Sequence, residues 1–155
     1  MKTEDKELLR DLCARLPYGV KVKTSFDKID EPTELKSINI KNGTFSVGGE
    51  YTTISGISLD TYECKPYLFP LSSMSREQLN DFYATIRPVI EESLEEYDND
   101  KTDYEGERPI TMKTIKCDIV AVNWMLKNHF DINGLLPMDL AIDATDLNIY
   151  KEEIR

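Results

Sequence analysis

The stretch Cys64-Lys-Pro-Tyr-Leu-Phe-Pro-Leu-Ser-Ser-Met-Ser75 decides the fold, because it joins an extended segment directly to a helix. Pro66 and Pro70 fix the backbone, so the residues between them should be extended. Side chains such as Tyr67 and Leu71 are too apolar to be left in water. The segment is therefore predicted to lie against the core of the protein.

The end of this stretch predicts the start of a helix. Ser75 and Gln78 have the spacing of a capping box, in which each side chain accepts a hydrogen bond from the other residue's backbone N–H. From Leu79 to Tyr97, apolar residues recur every three or four positions, as on one face of a helix. Because Pro88 lies inside this pattern, we expect a kink or a break there.

Apolar periodicity predicts two more helices. The first begins at Thr3, which can cap it, and is stopped by Pro17. The other covers Asp118 to Asn128 and has a wide apolar face that includes Trp124.

Alternating apolar and polar residues predict a small antiparallel sheet. Asn42-Gly43 separates the alternating segments 37–41 and 44–47, which indicates a hairpin with a type I′ turn. Neighbouring segments can add strands, so three to five are expected. The predicted fold class is α+β, a small antiparallel sheet packed with about three helices in a single globular domain, residues 1–155.

The charge pattern predicts an acidic protein with one acidic surface. The net charge is -10, and residues 98–107 should form a solvated acidic loop. The tail, residues 146–155, is polar enough to fray, although Tyr150 can dock. The candidate acidic surface for a partner comprises Glu91, Glu92, Glu95, Glu96, Asp98 and Asp100.

This charge argues against direct binding to nucleic acid or to an anionic membrane, since both need a basic surface. A basic partner, or simple solubility, fits the negative charge better. No apolar run approaches the length of a membrane span, and the amino terminus lacks the apolar core of a secretory signal. The three cysteines form no CxxC pair, so a reducing cytoplasm is expected.

One group of residues contains the ingredients of a ligand pocket or a hydrolase site. Tyr67, Ser72, Ser73 and His129 are the candidates, with a pocket beside residues 66–75. The chain has no Gly-x-Ser-x-Gly elbow, and serines before a helix cap usually satisfy backbone groups. We therefore assign no catalytic residue.

Metal and cofactor sites are not predicted. One histidine and scattered cysteines do not supply the ligands of a zinc site. The acidic run from Asp98 lacks the glycine and glutamate of a calcium loop, having Asp103 and Pro109 at those positions. At the end of the third helix, His129 is expected to have a structural role, either by complementing the helix dipole or by bonding a carbonyl.

Two stretches resemble a known group of proteins. They are Lys65-Pro-Tyr-Leu-Phe-Pro-Leu-Ser-Ser-Met-Ser75, with its Pro-Tyr-Leu-x-Pro-x-Ser-Ser-Met pattern, and residues 123–141, with Trp-x-x-x-x-His-Phe-Asp-x-x-Gly-Leu. They resemble an uncharacterised family of small proteins from phages and prophages of gut bacteria. The resemblance implies no activity and no site residue. It implies a setting, that of an accessory protein of a mobile element.

These observations favour one function and leave two alternatives open. The leading hypothesis is a non-enzymatic accessory binding protein of a phage or prophage that acts through a protein partner. One alternative is a small ligand-binding protein or hydrolase with a pocket beside residues 66–75. The other is an acidic mimic of nucleic acid, which needs a row of carboxylates at phosphate-like spacing.

Overall fold

A computed structural model describes residues 3–26, 31–49, 52–100 and 112–150, and side chains within 5–26, 31–49, 52–91 and 115–150. These residues form three α-helices and a six-stranded mixed sheet. The helices are α1 (Thr3–Arg15), α2 (Arg76–Asp100) and α3 (Met112–Lys127). The strands are β1 (Lys21–Thr24), β2 (Thr33–Asn39), β3 (Thr44–Gly48), β4 (Thr53–Ser58), β5 (Cys64–Leu68) and β6 (Ile142–Asp143). The α+β class is confirmed.

The sheet is larger than predicted, and it is not wholly antiparallel. Its order is β4-β3-β2-β1-β5-β6, and β6 runs parallel to β5, with Tyr67 facing Ile142. The prediction of three to five strands was therefore slightly low. A strand of two residues is too short to show alternation, and its pairing with β5 depends on a contact that is distant in sequence.

The hairpin between β2 and β3 is confirmed, but its predicted turn type is wrong. The last facing pair is Asn39 and Thr44, so four residues form the loop. Gly43 has a φ of 65°, whereas Asn42 is not among the residues with positive φ, which a type I′ turn requires at both positions. Asn39 organises the loop, since its carbonyl accepts from Gly43 N–H and its Oδ1 accepts from Asn42 N–H.

Residues 64–73 form β5 and the 3-10 turn after it. Tyr67 and Leu68 are buried, as expected for a segment that lies against the core. Leu71 is an exception, because it lies in a short 3-10 turn and is 50% exposed. The turn ends the extended strand, so Leu71 does not share the buried position of Tyr67 and Leu68.

The chain divides into two compact units. Residues 1–73 and 129–155 form one, called here the sheet unit, and residues 74–128 form the other, the helical unit. The single-domain assignment stays a prediction. Buried side chains from α1 and from strands β1 to β5 form the core of the sheet unit, including Leu12, Val22, Leu35, Phe45 and Leu68.

The helical unit begins with the predicted capping box. Gln78 N–H donates to Ser75 Oγ at 3.1 Å, and Ser75 N–H donates to Gln78 Oε1 at 2.9 Å. Helix α2 is continuous through Pro88, so a break does not occur there. It ends at Asp100, which makes the first three residues of the predicted 98–107 loop helical, and residues 101–107 lie outside the described part of the chain.

Helix α3 begins earlier than its predicted start at Asp118. Trp124 is buried, donates from Nε1 to Asp81 Oδ2 at 2.8 Å, and meets the Phe82 ring edge-on at 5.1 Å. These contacts join α3 to α2 within the helical unit. No helix among the described residues is long and apolar enough to cross a membrane.

We expect Ser75→Ala to lower the free energy of unfolding by about 1 kcal/mol, because the Gln78 N–H loses its acceptor at the start of α2. Urea denaturation followed by circular dichroism measures this change. Ser72→Ala is the matched control, since Ser72 is exposed and lies before the helix. Equal effects of the two substitutions would contradict the capping role.

Candidate functional site

The two serines of the predicted pocket are engaged locally or face solvent. Ser73 Oγ donates to the Pro70 carbonyl at 2.7 Å, and the Ser73 N–H donates to the same oxygen. Ser72 is exposed. Among the described residues, no hydrogen bond joins either serine to His129. The serines therefore have the backbone-satisfying role that is usual before a helix cap.

Tyr67 and His129 are brought together through Tyr150. The His129 ring stacks on the Tyr150 ring, with centroids 3.6 Å apart and planes 11° apart. Tyr150 Oη donates to the Tyr67 carbonyl at 2.8 Å and accepts from Lys21 N–H at 2.9 Å. The part of the tail up to Tyr150 is thus docked, and residues 151–155 lie outside the described part of the chain.

The Tyr150 hydroxyl lies at the end of the ladder between β1 and β5. The ladder between β1 and β5 ends where Val22 faces Pro66, so Lys21 and Tyr67 are the next facing residues. The Tyr150 hydroxyl lies between these two residues. It accepts a hydrogen bond from the Lys21 N–H and donates one to the Tyr67 carbonyl. A side chain therefore completes the hydrogen bonding of two neighbouring strands.

His129 is neutral at pH 7. Burial, together with the positive charges of Arg15 and Lys21, lowers the pKa of its imidazole to about 4. Its Nδ1 is buried and has no hydrogen-bond partner in the described structure, and its backbone is left-handed with a φ of 63°. A base with this pKa is poorly matched to proton transfer near pH 7. A neutral ring also carries no positive charge, so it does not complement a helix dipole, which was one of the two structural roles predicted for His129.

A buried ion pair lies beside this region. Asp11 and Arg15, both 0% exposed, are one turn apart on α1, and Arg15 Nε donates to Asp11 Oδ2 at 2.7 Å. Arg15 Nη2 donates to the Phe130 carbonyl at 2.7 Å, and Asn133 Nδ2 donates to Asp11 Oδ1 at 2.8 Å. The pair therefore ties α1 to the chain that follows α3. Its i,i+4 spacing is visible in the sequence, but its burial is not.

A cleft lies beside α1 in the sheet unit. Its volume is about 370 Å³, within the range typical of ligand pockets. We call it the α1 cleft, and its lining residues are Asp5, Leu8, Leu9, Gly43, residues 59–65, Met138, Asp139 and Leu140. The leucines and the methionine give it apolar walls. It therefore offers both an apolar surface and polar groups to an occupant.

The charged groups of the α1 cleft are mostly acidic. Four of its lining residues carry a carboxylate: Asp5, Asp60, Glu63 and Asp139. Lys65 is the one basic residue among those that line it, and its Nζ lies 3.4 Å from Asp139 Oδ1. The balance of charge favours a cationic occupant. Among the described residues, no three His, Cys, Asp or Glu side chains are grouped closely enough to hold a metal ion.

Cys64 lines the same cleft, and its thiol does not act as a nucleophile at neutral pH. Burial raises the pKa of this thiol to about 12, so the reactive thiolate is absent near pH 7. The cysteine belongs to the buried start of β5. Its place in the wall is therefore a packing role.

Sequence reasoning missed the α1 cleft because its walls come from four distant parts of the chain. Of the acidic surface that was predicted instead, Glu91 is exposed on α2. The remaining members have side chains outside the described residues; they are Glu92, Glu95, Glu96, Asp98 and Asp100.

Comparisons with known proteins yield no match. No family model matches the chain, and no similar protein was found among curated proteins or solved structures. The resemblance of residues 65–75 and 123–141 to small phage proteins stays a prediction.

Proposed function

We propose that this chain is a non-enzymatic binding protein that acts through a basic protein partner, and that the partner enters the α1 cleft. The observation that carries the proposal is the lining of that cleft, where apolar side chains of α1 and of the turn before β6 lie among four carboxylates. Apolar surface supplies the driving force for association, and the carboxylates select for positive charge.

The charge of the whole chain supports the same partner. A net charge of -10 attracts basic proteins over distances of about 10 Å at moderate salt and repels nucleic acid. The described ion pair of Lys65 is with Asp139, so Lys65 does not compensate the charges of the exposed Asp60 and Glu63. The local field is therefore also negative.

The biological setting is part of the proposal. We propose that the protein is an accessory protein of a phage or prophage that acts in the bacterial cytoplasm. This setting rests on the resemblance predicted from the motifs in residues 65–75 and 123–141.

The competing hydrolase interpretation is less well supported by the geometry. It needs a serine activated by a base, but Ser73 Oγ is directed to the Pro70 carbonyl. It also needs His129 to accept a proton near neutral pH, whereas burial lowers the pKa of that imidazole to about 4. A binding function requires neither group.

Partner capture tests the proposed function. The wild-type protein, immobilised, should retain a stoichiometric partner from lysates of gut bacteria and release it as salt is raised. The double variant Asp60→Asn/Glu63→Gln removes two carboxylates of the cleft and should lose most of this capture. The protein retained should be basic.

Glu91→Gln is the matched control, because it removes an exposed carboxylate from α2 instead of from the cleft. It should capture the partner as well as the wild type does. Equal capture by the wild type and the double variant would contradict the cleft as the binding site. Loss of capture in Glu91→Gln alone would move the partner to the acidic surface of the helical unit.

A further inference from the structure

We infer that the α1 cleft receives a lysine or arginine side chain of the partner together with a neighbouring apolar residue, and that Lys65 occupies one of the carboxylates of the cleft, Asp139, until the partner displaces it. This inference rests on the proposed function and specifies the chemistry of the partner. It assigns Lys65 a role as an internal competitor.

The surface of the cleft matches a long basic side chain in two respects. Leu8, Leu9 and Leu140 can cover the aliphatic stem, in the way that lysine and arginine stems usually cover apolar surface. Asp60 and Glu63 are exposed residues of the loop between β4 and β5 that line the same cleft, and their carboxylates suit the cation at the end of such a stem. A neutral apolar ligand would leave these carboxylates without a new partner.

The contact between Lys65 and Asp139 shows how a basic side chain is accommodated here. Lys65 Nζ lies 3.4 Å from Asp139 Oδ1, longer than the 2.7–2.9 Å of a tight charge-assisted bond. The Asp139 side chain is 92% exposed, so solvent screens the pair. A pair of this kind contributes little stability, and another cation can replace Lys65 at modest cost.

Because Lys65 must be displaced, its removal should raise the affinity of the cleft for a basic side chain. Because Lys65 is the one basic residue among the lining residues, its removal makes the cleft more negative and vacates Asp139. Lys65→Met keeps the aliphatic stem but removes the ammonium. Binding of a basic side chain should therefore become tighter in this variant, although the substitution removes an ion pair.

Titration of the full chain with short peptides tests the inference. The probes are acetyl-Leu-Arg-Leu-amide, acetyl-Leu-Lys-Leu-amide and the neutral acetyl-Leu-Gln-Leu-amide, followed by amide chemical shifts. The basic peptides should shift the amides of residues 60–65 in a saturable way. Lys65→Met should tighten their binding by about threefold to tenfold, the scale of one exposed charge pair.

Two further variants complete the experiment. Asp139→Asn keeps a residue tolerant of the left-handed backbone at this position, where φ is 58°, and should weaken binding. Glu91→Gln should leave binding unchanged. Melting curves of every variant confirm that the chain is folded before affinities are compared.

Specific outcomes would overturn the inference. One is equal binding of the neutral and basic peptides, and another is unchanged or weaker binding in Lys65→Met. If lysate capture still depends on Asp60 and Glu63 in that case, the inference about the occupant fails while the proposed function stands. If capture is independent of the cleft as well, both fail.

Discussion

Asp11→Ala is expected to lower the free energy of unfolding by about 3–5 kcal/mol, among the largest effects of any single substitution in this chain. The Asp11 and Arg15 side chains are both 0% exposed, so the substitution leaves a guanidinium buried without its carboxylate. The guanidinium then keeps the Phe130 carbonyl as a neutral acceptor for Nη2, while Nη1 has no partner in the described structure. Urea denaturation monitored by Trp124 fluorescence and by circular dichroism measures the loss.

Two other variants identify the cause of this loss. Glu7→Ala removes an exposed carboxylate from the same helix and should change the free energy of unfolding by less than about 0.5 kcal/mol. The double variant Asp11→Leu/Arg15→Met removes both charges and should recover much of the loss, because no unpaired ion remains buried. A cost below about 1 kcal/mol for Asp11→Ala would contradict the structural importance of the pair.

Stability is expected to fall as the pH is lowered from about 6.5 to below 4, and His129 is one cause. Its imidazole has an ordinary pKa of 6.5 when the chain is unfolded, and burial lowers this pKa to about 4 in the folded protein. The folded state therefore favours the neutral ring. The stability gained from this preference is complete above pH 6.5 and is lost as the pH falls through 4.

The size of this effect is on the order of 2 kcal/mol, after allowance for solvent at a ring that is not fully buried. Protonation would place a third positive charge near Arg15 and Lys21. Carboxylates titrate in the same range, so the informative quantity is the difference between the wild type and His129→Gln. This difference should change between pH 7 and pH 4, and a constant difference would contradict the assignment.

Features of the fold that depend on neighbours in sequence could be predicted. The capping box needs only Ser75 and Gln78, and the hairpin needs only two alternating segments with turn residues between them. The turn type was wrong because Asn39 offers its side chain to the loop, a competing hydrogen bond that the Asn42-Gly43 pair does not reveal.

Features that depend on distant residues could not be predicted. The α1 cleft combines α1 with the loop before β5 and the turn before β6, so no local pattern carries it. Polar residues such as Asp11 and Arg15 are usually exposed, and the contacts that satisfy them when buried come from the distant residues Phe130 and Asn133. For His129, the sequence showed a single histidine near a helix end, but not the tyrosine ring on which it stacks.

The hydrogen bond from Lys21 N–H to the Tyr150 hydroxyl has a consequence for the order in which the protein is made. These residues are 129 positions apart in the chain, and synthesis proceeds at about 5–20 residues per second. Roughly 6–26 s therefore separate the appearance of the first strand from that of the tyrosine that joins it to β5. Strands β1 to β5 lie between residues 21 and 68, so their ladders need no later segment, whereas the hydrogen bonds of Lys21 and Tyr67 to the Tyr150 hydroxyl form only after synthesis has reached position 150.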